Sequence, residues 1–127
     1  MNEETLDRAV FDRLKSSTSA QPAVLEELCR DYIVEARATL AQLREAISQQ
    51  NALRLQDRAH YLKGSSMMLG ARELASACAA LETMGRSSNL TGAAPALDHI
   101  LTALKRVETE LTDIVGPAVL PAEGSAA

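Results

Sequence analysis

Aromatic side chains are almost missing: one phenylalanine, two tyrosines and no tryptophan stand among 127 residues. Any core must therefore be aliphatic. Glycine (6) and proline (4) are scarce as well, which disfavours a β-sandwich or a collagen-like chain and favours helices. The two cysteines, Cys29 and Cys78, are far apart, sit inside apolar helical patterns and form neither a CxxC pair nor a Cys/His cluster. They are expected to act as small buried hydrophobes, and no metal site is expected. There is no basic excess: the formal charge is −4 and the sequence pI about 5.2. Sequence-independent binding of nucleic acid thereby loses its main driving force. Nor does any apolar run approach the ~18 residues that span a bilayer. The amino-terminal MNEETLDRAV lacks the basic and apolar stretches of a signal peptide, so the expected address is the cytoplasm, away from membranes.

What the chain does have is aliphatic residues at helical spacing. Hydrophobic residues make up 46% and charged residues 24%, enough for one domain that buries roughly two thirds of its unfolded surface without staples. Leu6, Val10, Phe11 and Leu14 predict a short amphipathic helix between Glu3 and Lys15. The polar SSTSAQP then predicts a loop ending at Pro22. From Ala23 to about Gln49 a long stripe runs through Leu25, Leu28, Cys29, Tyr32, Ile33, Ala36, Leu40, Leu43 and Ile47. A third helix is predicted over Ala52–Leu69, stopped by Gly70, and a fourth over Arg72–Arg86. A last helix starts near Pro95, with Leu97, Ile100, Leu104, Val107 and Leu111 recurring close to every 3.5 residues.

Short connectors between four amphipathic helices imply an all-α fold, an antiparallel up-down four-helix bundle with a short additional N-terminal helix capping one end. The bundle is expected to occupy residues 1–115, and the Gly- and Pro-containing 116–127 to form a flexible tail. A monomer is expected, although the regular seam of the last helix also suits pairing with a second chain.

The segment with chemical content is AHYLKGSSMMLGA, Ala59–Ala71. On a helix, His60 lies about 200° from the inward Leu62, so its imidazole faces water. A water-facing histidine is by itself an ordinary surface residue. Gly64, however, sits mid-helix at a cost of about 1 kcal/mol relative to Ala, and in return clears space beside the ring. Lys63, three residues after His60, puts a cation on the same side. Open space and a cation next to a nucleophilic ring suit in-line phosphoryl transfer.

The run His60, Tyr61, Leu62, Lys63, Gly64, Ser65, Ser66, with Leu69, Gly70 and Ala71, resembles the signature of histidine-containing phosphotransfer (HPt) domains. Leu74, Cys78, Leu81, Gly85 and Arg86 downstream and FDRL at Phe11–Leu14 upstream extend the resemblance over roughly Leu6–Val115. The match is especially close to stand-alone phosphorelay intermediates. The resemblance implies that His60 is phosphorylated on Nε2 by the phosphoaspartate of one receiver domain and passes the group to an aspartate of another. Lys63 would then hold the phosphoryl group, Gly64 would admit the receiver, and Ser65 would support the ring or a phosphate oxygen. It also implies that the protein is not an enzyme in its own right. Its partners would be receiver domains of hybrid histidine kinases and response regulators, and no cofactor would be needed, Mg2+ belonging to the receiver.

One position departs from the pattern: some relatives carry glutamine on the adjacent helix where this chain has Glu82. A carboxylate could orient the neutral ring yet would repel a phosphoryl group, and an exposed helical glutamate is the plainer expectation. Arg86 could offset that charge or cap the helix. Asp57, one turn before His60, could hydrogen-bond the ring, with solvation the plainer fate. His99 lacks a matching glycine and lysine and is assigned no role. Met67 is expected on the outward face as a docking contact, Met68 as a partly buried gap-filler. An alternative function, a non-phosphorylated helical adaptor for receiver domains, would leave Lys63 and Gly64 without a shared purpose. A hydrolase using Asp57 and His60 would lack an oxyanion donor set.

Overall fold

The structure is a computed structural model that describes residues 5–121. It has five α-helices, α1 (Arg8–Ser17), α2 (Pro22–Ser48), α3 (Ala52–Leu69), α4 (Arg72–Arg86) and α5 (Ala93–Val115), followed by a 3₁₀ turn at Pro117–Val119. No strand occurs among the described residues. Helices α2 to α5 each pack on two neighbours, α2 on α3 and α5, α4 on α3 and α5, and with their short connections this closes an antiparallel four-helix bundle.

Local chemistry sets the boundaries. Pro22 opens α2, where its missing N–H costs nothing. The Asn51 side chain accepts from the Arg54 N–H at 3.0 Å and starts α3. Gly70, at φ +91°, ends α3 in the left-handed region; a Cβ there would also lie 2.9 Å from the Asp7 carbonyl. The α1 helix starts later than expected. Asp7 caps it, its carboxylate accepting from the N–H groups of Ala9 and Val10, while Leu6 is buried ahead of the helix instead of within it. The Asp7 N–H donates to the Gly70 carbonyl and Arg72 pairs with the Asp7 carboxylate at 3.2 Å, so α1 lies across the α3–α4 turn. At the other boundary, α5 begins at Ala93, which places Pro95 inside its first turn.

The core is aliphatic, as the missing aromatics require. Ile33, Leu43, Leu55, Leu62, Leu74, Leu81, Ile100 and Leu104 are fully buried around the bundle axis, and Phe11 joins them from α1. Each such side chain contributes about 1.5–3 kcal/mol. Two polar ties add register. The Tyr32 hydroxyl and the buried Ser66 hydroxyl are 2.8 Å apart between α2 and α3, and Arg37 forms a bidentate pair with Glu108 at 2.9 Å between α2 and α5. Leu28, expected in the core, is 43% exposed. The expectation of a flexible tail from Gly116 needs correction for its first part. Val119 is buried, the 3₁₀ turn packs on α2 and α5, and Arg30 donates to the Ala118 carbonyl at 2.9 Å. Gly116, at φ +132°, turns the chain back, and burial of Val119 rewards the return. Residues 122–127 lie outside the described residues.

The two central helices for function are α3 and α4, which approach closely at Gly85. A Cβ on Gly85 would lie 2.7 Å from the Gln56 nitrogen and 2.8 Å from the Ala52 carbonyl oxygen. The missing side chain lets α4 lie directly against the backbone of α3. Glu82, one turn earlier on α4, is thereby brought under the outer face of α3.

Candidate functional site

The α3 helix buries Leu55, Ala59, Leu62, Ser66 and Leu69, and this stripe fixes what the opposite face shows. His60 is on that face with its side chain 68% exposed. The ring is nevertheless held: Nδ1 lies 2.9 Å from Glu82 Oε2. A carboxylate can only accept, so Nδ1 carries a proton, and whenever the ring is neutral the lone pair is on Nε2.

Glu82 is the correction to the sequence reading. Expected as an exposed glutamate, it is 5% exposed and forms the hub of the site. Its Oε1 accepts from Lys63 Nζ at 2.8 Å, and its Oε2 is shared between His60 and Arg86 Nη2, the latter at 3.3 Å. The hydrogen bond from Lys63 does most to lower the pKa of this carboxyl below the usual glutamate range; burial opposes the shift and His60 assists it. The group is ionised at neutral pH, and two cations offset its charge. The wheel of α4 carried the signal, since Cys78, Glu82 and Gly85 recur at four and three residues on the buried face.

Other site residues fall as follows. Lys63 is partly buried, its Nζ bound to the same Glu82 carboxylate that holds the ring. Around Gly64 an added Cβ would meet nothing within 4 Å among the described residues, in contrast to Gly70 and Gly85, so packing among them does not require a glycine there. Ser65 does not join the imidazole: its hydroxyl donates to the Leu62 carbonyl at 3.2 Å, and it lines a groove of about 260 Å³ with Tyr32, Tyr61 and Met68. Asp57 pairs with Arg58 at 3.1 Å instead of with His60, and the Arg58 guanidinium stacks 4.9 Å from the Tyr61 ring centroid. His99 pairs loosely, through Nε2, with Glu73 at 3.4 Å on the α4–α5 side.

Several large apolar side chains are exposed on α3 and α2. On α3, Leu53 is 77% exposed, Met67 59% and Met68 78%, so Met68 is more open than Met67, opposite to expectation. Tyr61 on α3 and Leu28 and Val34 on α2 are also exposed. Leu53, passed over in the sequence because it precedes the motif, shares the outward face of α3 with His60 and Gly64. Among the described residues no group of three or more His, Cys, Asp or Glu could hold a metal ion, and no helix is long and apolar enough to cross a membrane.

The site is thus a helical bundle that holds one outward imidazole by a buried carboxylate, with two cations on that carboxylate and open space at Gly64. The Hpt domain family matches residues 27–110, and the chain belongs to that family of histidine-containing phosphotransfer domains. The chain is 26% identical over 85 residues to multistep phosphorelay regulator 1 of Schizosaccharomyces pombe, a match that takes in 66% of this chain and 29% of that protein's length. Its fold is similar to that of histidine-containing phosphotransfer protein B (HptB) of Pseudomonas aeruginosa PAO1, with a TM-score of 0.83 and 23% identity over 90% of this chain and 96% of that one. It is equally similar in fold to Saccharomyces cerevisiae Ypd1 in co-crystals with the receiver domain of its downstream response regulator Ssk1: TM-score 0.83 and 21% identity, over 88% and 95% of the two chains.

Proposed function

We propose that His60 is the phosphoacceptor of a phosphorelay carrier, taking the group from a phosphoaspartate of one receiver domain and giving it to an aspartate of another. The observation that carries this reading is the 2.9 Å contact between Nδ1 and buried Glu82, which leaves the Nε2 lone pair pointing into water. In the transfer, that lone pair forms the N–P bond, the acyl P–O bond breaks, and the donor aspartate departs as a carboxylate. Lys63, bound to the same carboxylate as the ring, draws the equatorial phosphoryl oxygens. The open space at Gly64 admits the partner's loops in line with Nε2. Mg2+ comes with the receiver, and the protein brings a positioned nucleophile without kinase activity of its own.

Receiver domains dock on the exposed apolar side chains of α2 and α3 around His60, a reading supported by the Ypd1 complex with a receiver domain. Contacts of modest area suit a carrier that must release its partner. The same reading makes the protein a cytoplasmic monomer that finds each partner by diffusion. A non-phosphorylated adaptor would have no use for an oriented ring or a packing-free glycine.

Incubation with a ³²P-phosphorylated receiver tests the proposal. Acid-labile, base-stable label is expected on the wild type and is expected to vanish in His60→Gln. Label persisting in that variant would defeat the assignment.

A further inference from the structure

Glu82 is a full negative charge, 5% exposed, in direct contact with the ring nitrogen that does not react. Ring orientation alone asks for an acceptor there, which a neutral side chain also provides. The charge calls for a further reason.

We infer that Glu82 is a positioning residue that keeps the proton on Nδ1 of His60 while the phosphoryl group occupies Nε2, so that the carrier loads and discharges without a proton entering or leaving the ring. This rests on the reading of His60 as phosphoacceptor. During loading the Nε2 electron pair becomes the N–P bond, and the ring, still bearing Nδ1–H, becomes a cationic phosphoimidazolium. The buried carboxylate 2.9 Å away balances that new charge with a charge-assisted hydrogen bond. During discharge the acceptor oxygen bonds to phosphorus, the N–P electron pair returns to Nε2, and a neutral imidazole leaves. Were the Nδ1 proton lost in between, the leaving group would be an imidazolide anion, and the N–P bond would resist transfer.

The surroundings suit this task. The charged and titratable groups facing Glu82 are Lys63 from α3 and Arg86 from its own helix, with the buried Cys78 thiol one turn away; no ion pair reaches it from α2 or α5 among the described residues. Lys63 does most to keep the carboxylate ionised, and neither cation can accept the ring proton. Lys63 holds Oε1, leaving Oε2 for the ring and Arg86.

The test uses the full chain, loaded on histidine with phosphoramidate, and follows hydrolysis of the phosphohistidine between pH 6.5 and 8.5. Water supplies the acceptor oxygen and its proton leaves with the phosphate. The wild-type rate is expected to change by less than about twofold across this range. In Glu82→Gln it is expected to fall about tenfold per pH unit at the upper end, as the protonated fraction does. Because Glu82→Gln also frees Lys63, the lifetime at one pH does not discriminate, whereas the pH profile does. Parallel profiles would overturn the inference while leaving His60 as phosphoacceptor. If the variant does not fold, ¹⁵N NMR of the phosphorylated wild type decides: a directly bonded Nδ1 proton at pH 8.5 is expected, and a bare Nδ1 overturns the inference. Absence of phosphohistidine at residue 60 in the wild type would instead remove the functional reading beneath it.

Discussion

At the scale of single residues, three glycines show how one amino acid serves three needs. Gly70 takes a left-handed conformation, Gly85 avoids a collision with the α3 backbone, and Gly64 has neither constraint. A glycine that costs helix stability and relieves no contact among the described residues fits the role the proposed function gives it, clearance for a partner. Gly64→Ala is therefore expected to raise stability by about 1 kcal/mol in denaturant melts. A longer side chain, Gly64→Gln, is expected to leave the fold intact and slow transfer from a receiver more than about tenfold, read by single-turnover labelling. Unimpaired transfer in Gly64→Gln would show that no partner enters the notch. The residue scale is also where the sequence was hardest to read. His60, Lys63 and Gly64 stand together in one helical turn and announce themselves, but Glu82 is brought in from the next helix. Its burial follows from the spacing of Cys78, Glu82 and Gly85 on α4, whereas its identity as a carboxylate argues for the surface, and composition-based expectation followed the latter.

At the scale of elements, the α3–α4 pair is the working unit, because the hydrogen bond to the imidazole crosses between the helices. Gly85 sets their distance. Gly85→Ala would place a methyl group 2.7–2.9 Å from the Gln56 and Ala52 backbone, which cannot yield as a side-chain end can. Overpacking of this kind costs about 1–3 kcal/mol. The variant is expected to melt earlier, and the forced separation should lengthen the Glu82–His60 contact and slow phosphoryl loading. Loading at the wild-type rate in a destabilised Gly85→Ala would uncouple helix spacing from the site. The limits of α3 and α4 were legible because Asn51 and Gly70 are strong start and stop residues. The start of α1 was not: Leu6 fits the helical stripe but is buried from a non-helical segment, and the cap at Asp7 overrides periodicity. The final turn escaped notice for a related reason. Gly116, Pro117 and Pro121 signal a break in helix, which is correct, but they say nothing about whether the chain beyond it docks, and Val119 does.

At the scale of the whole molecule, the bundle is a platform whose aliphatic interior was readable from periodicity and whose site adds a pH dependence that was not. The carboxyl of Glu82 is more acidic in the folded protein than its ordinary value of 4.5, chiefly because Lys63 donates to it. The unfolded state therefore binds the proton first as pH falls. The stabilisation from Glu82 is complete above that ordinary value and disappears as pH drops through the lowered folded value. Thermal melts from pH 6 to pH 3 are expected to show a loss of stability that is smaller in Glu82→Gln; identical slopes would mean that the cluster contributes nothing to folding. On the proposed function, the bundle at this scale is a platform that offers one ring nitrogen of His60 to successive partners. The most direct measurement is the position of the phosphoryl group itself, read by NMR of ¹⁵N-histidine-labelled protein after phosphorylation by a receiver domain. The geometry predicts phosphorus on Nε2 of His60, with His99 unmodified. Phosphorus on Nδ1, or on His99, would contradict the account.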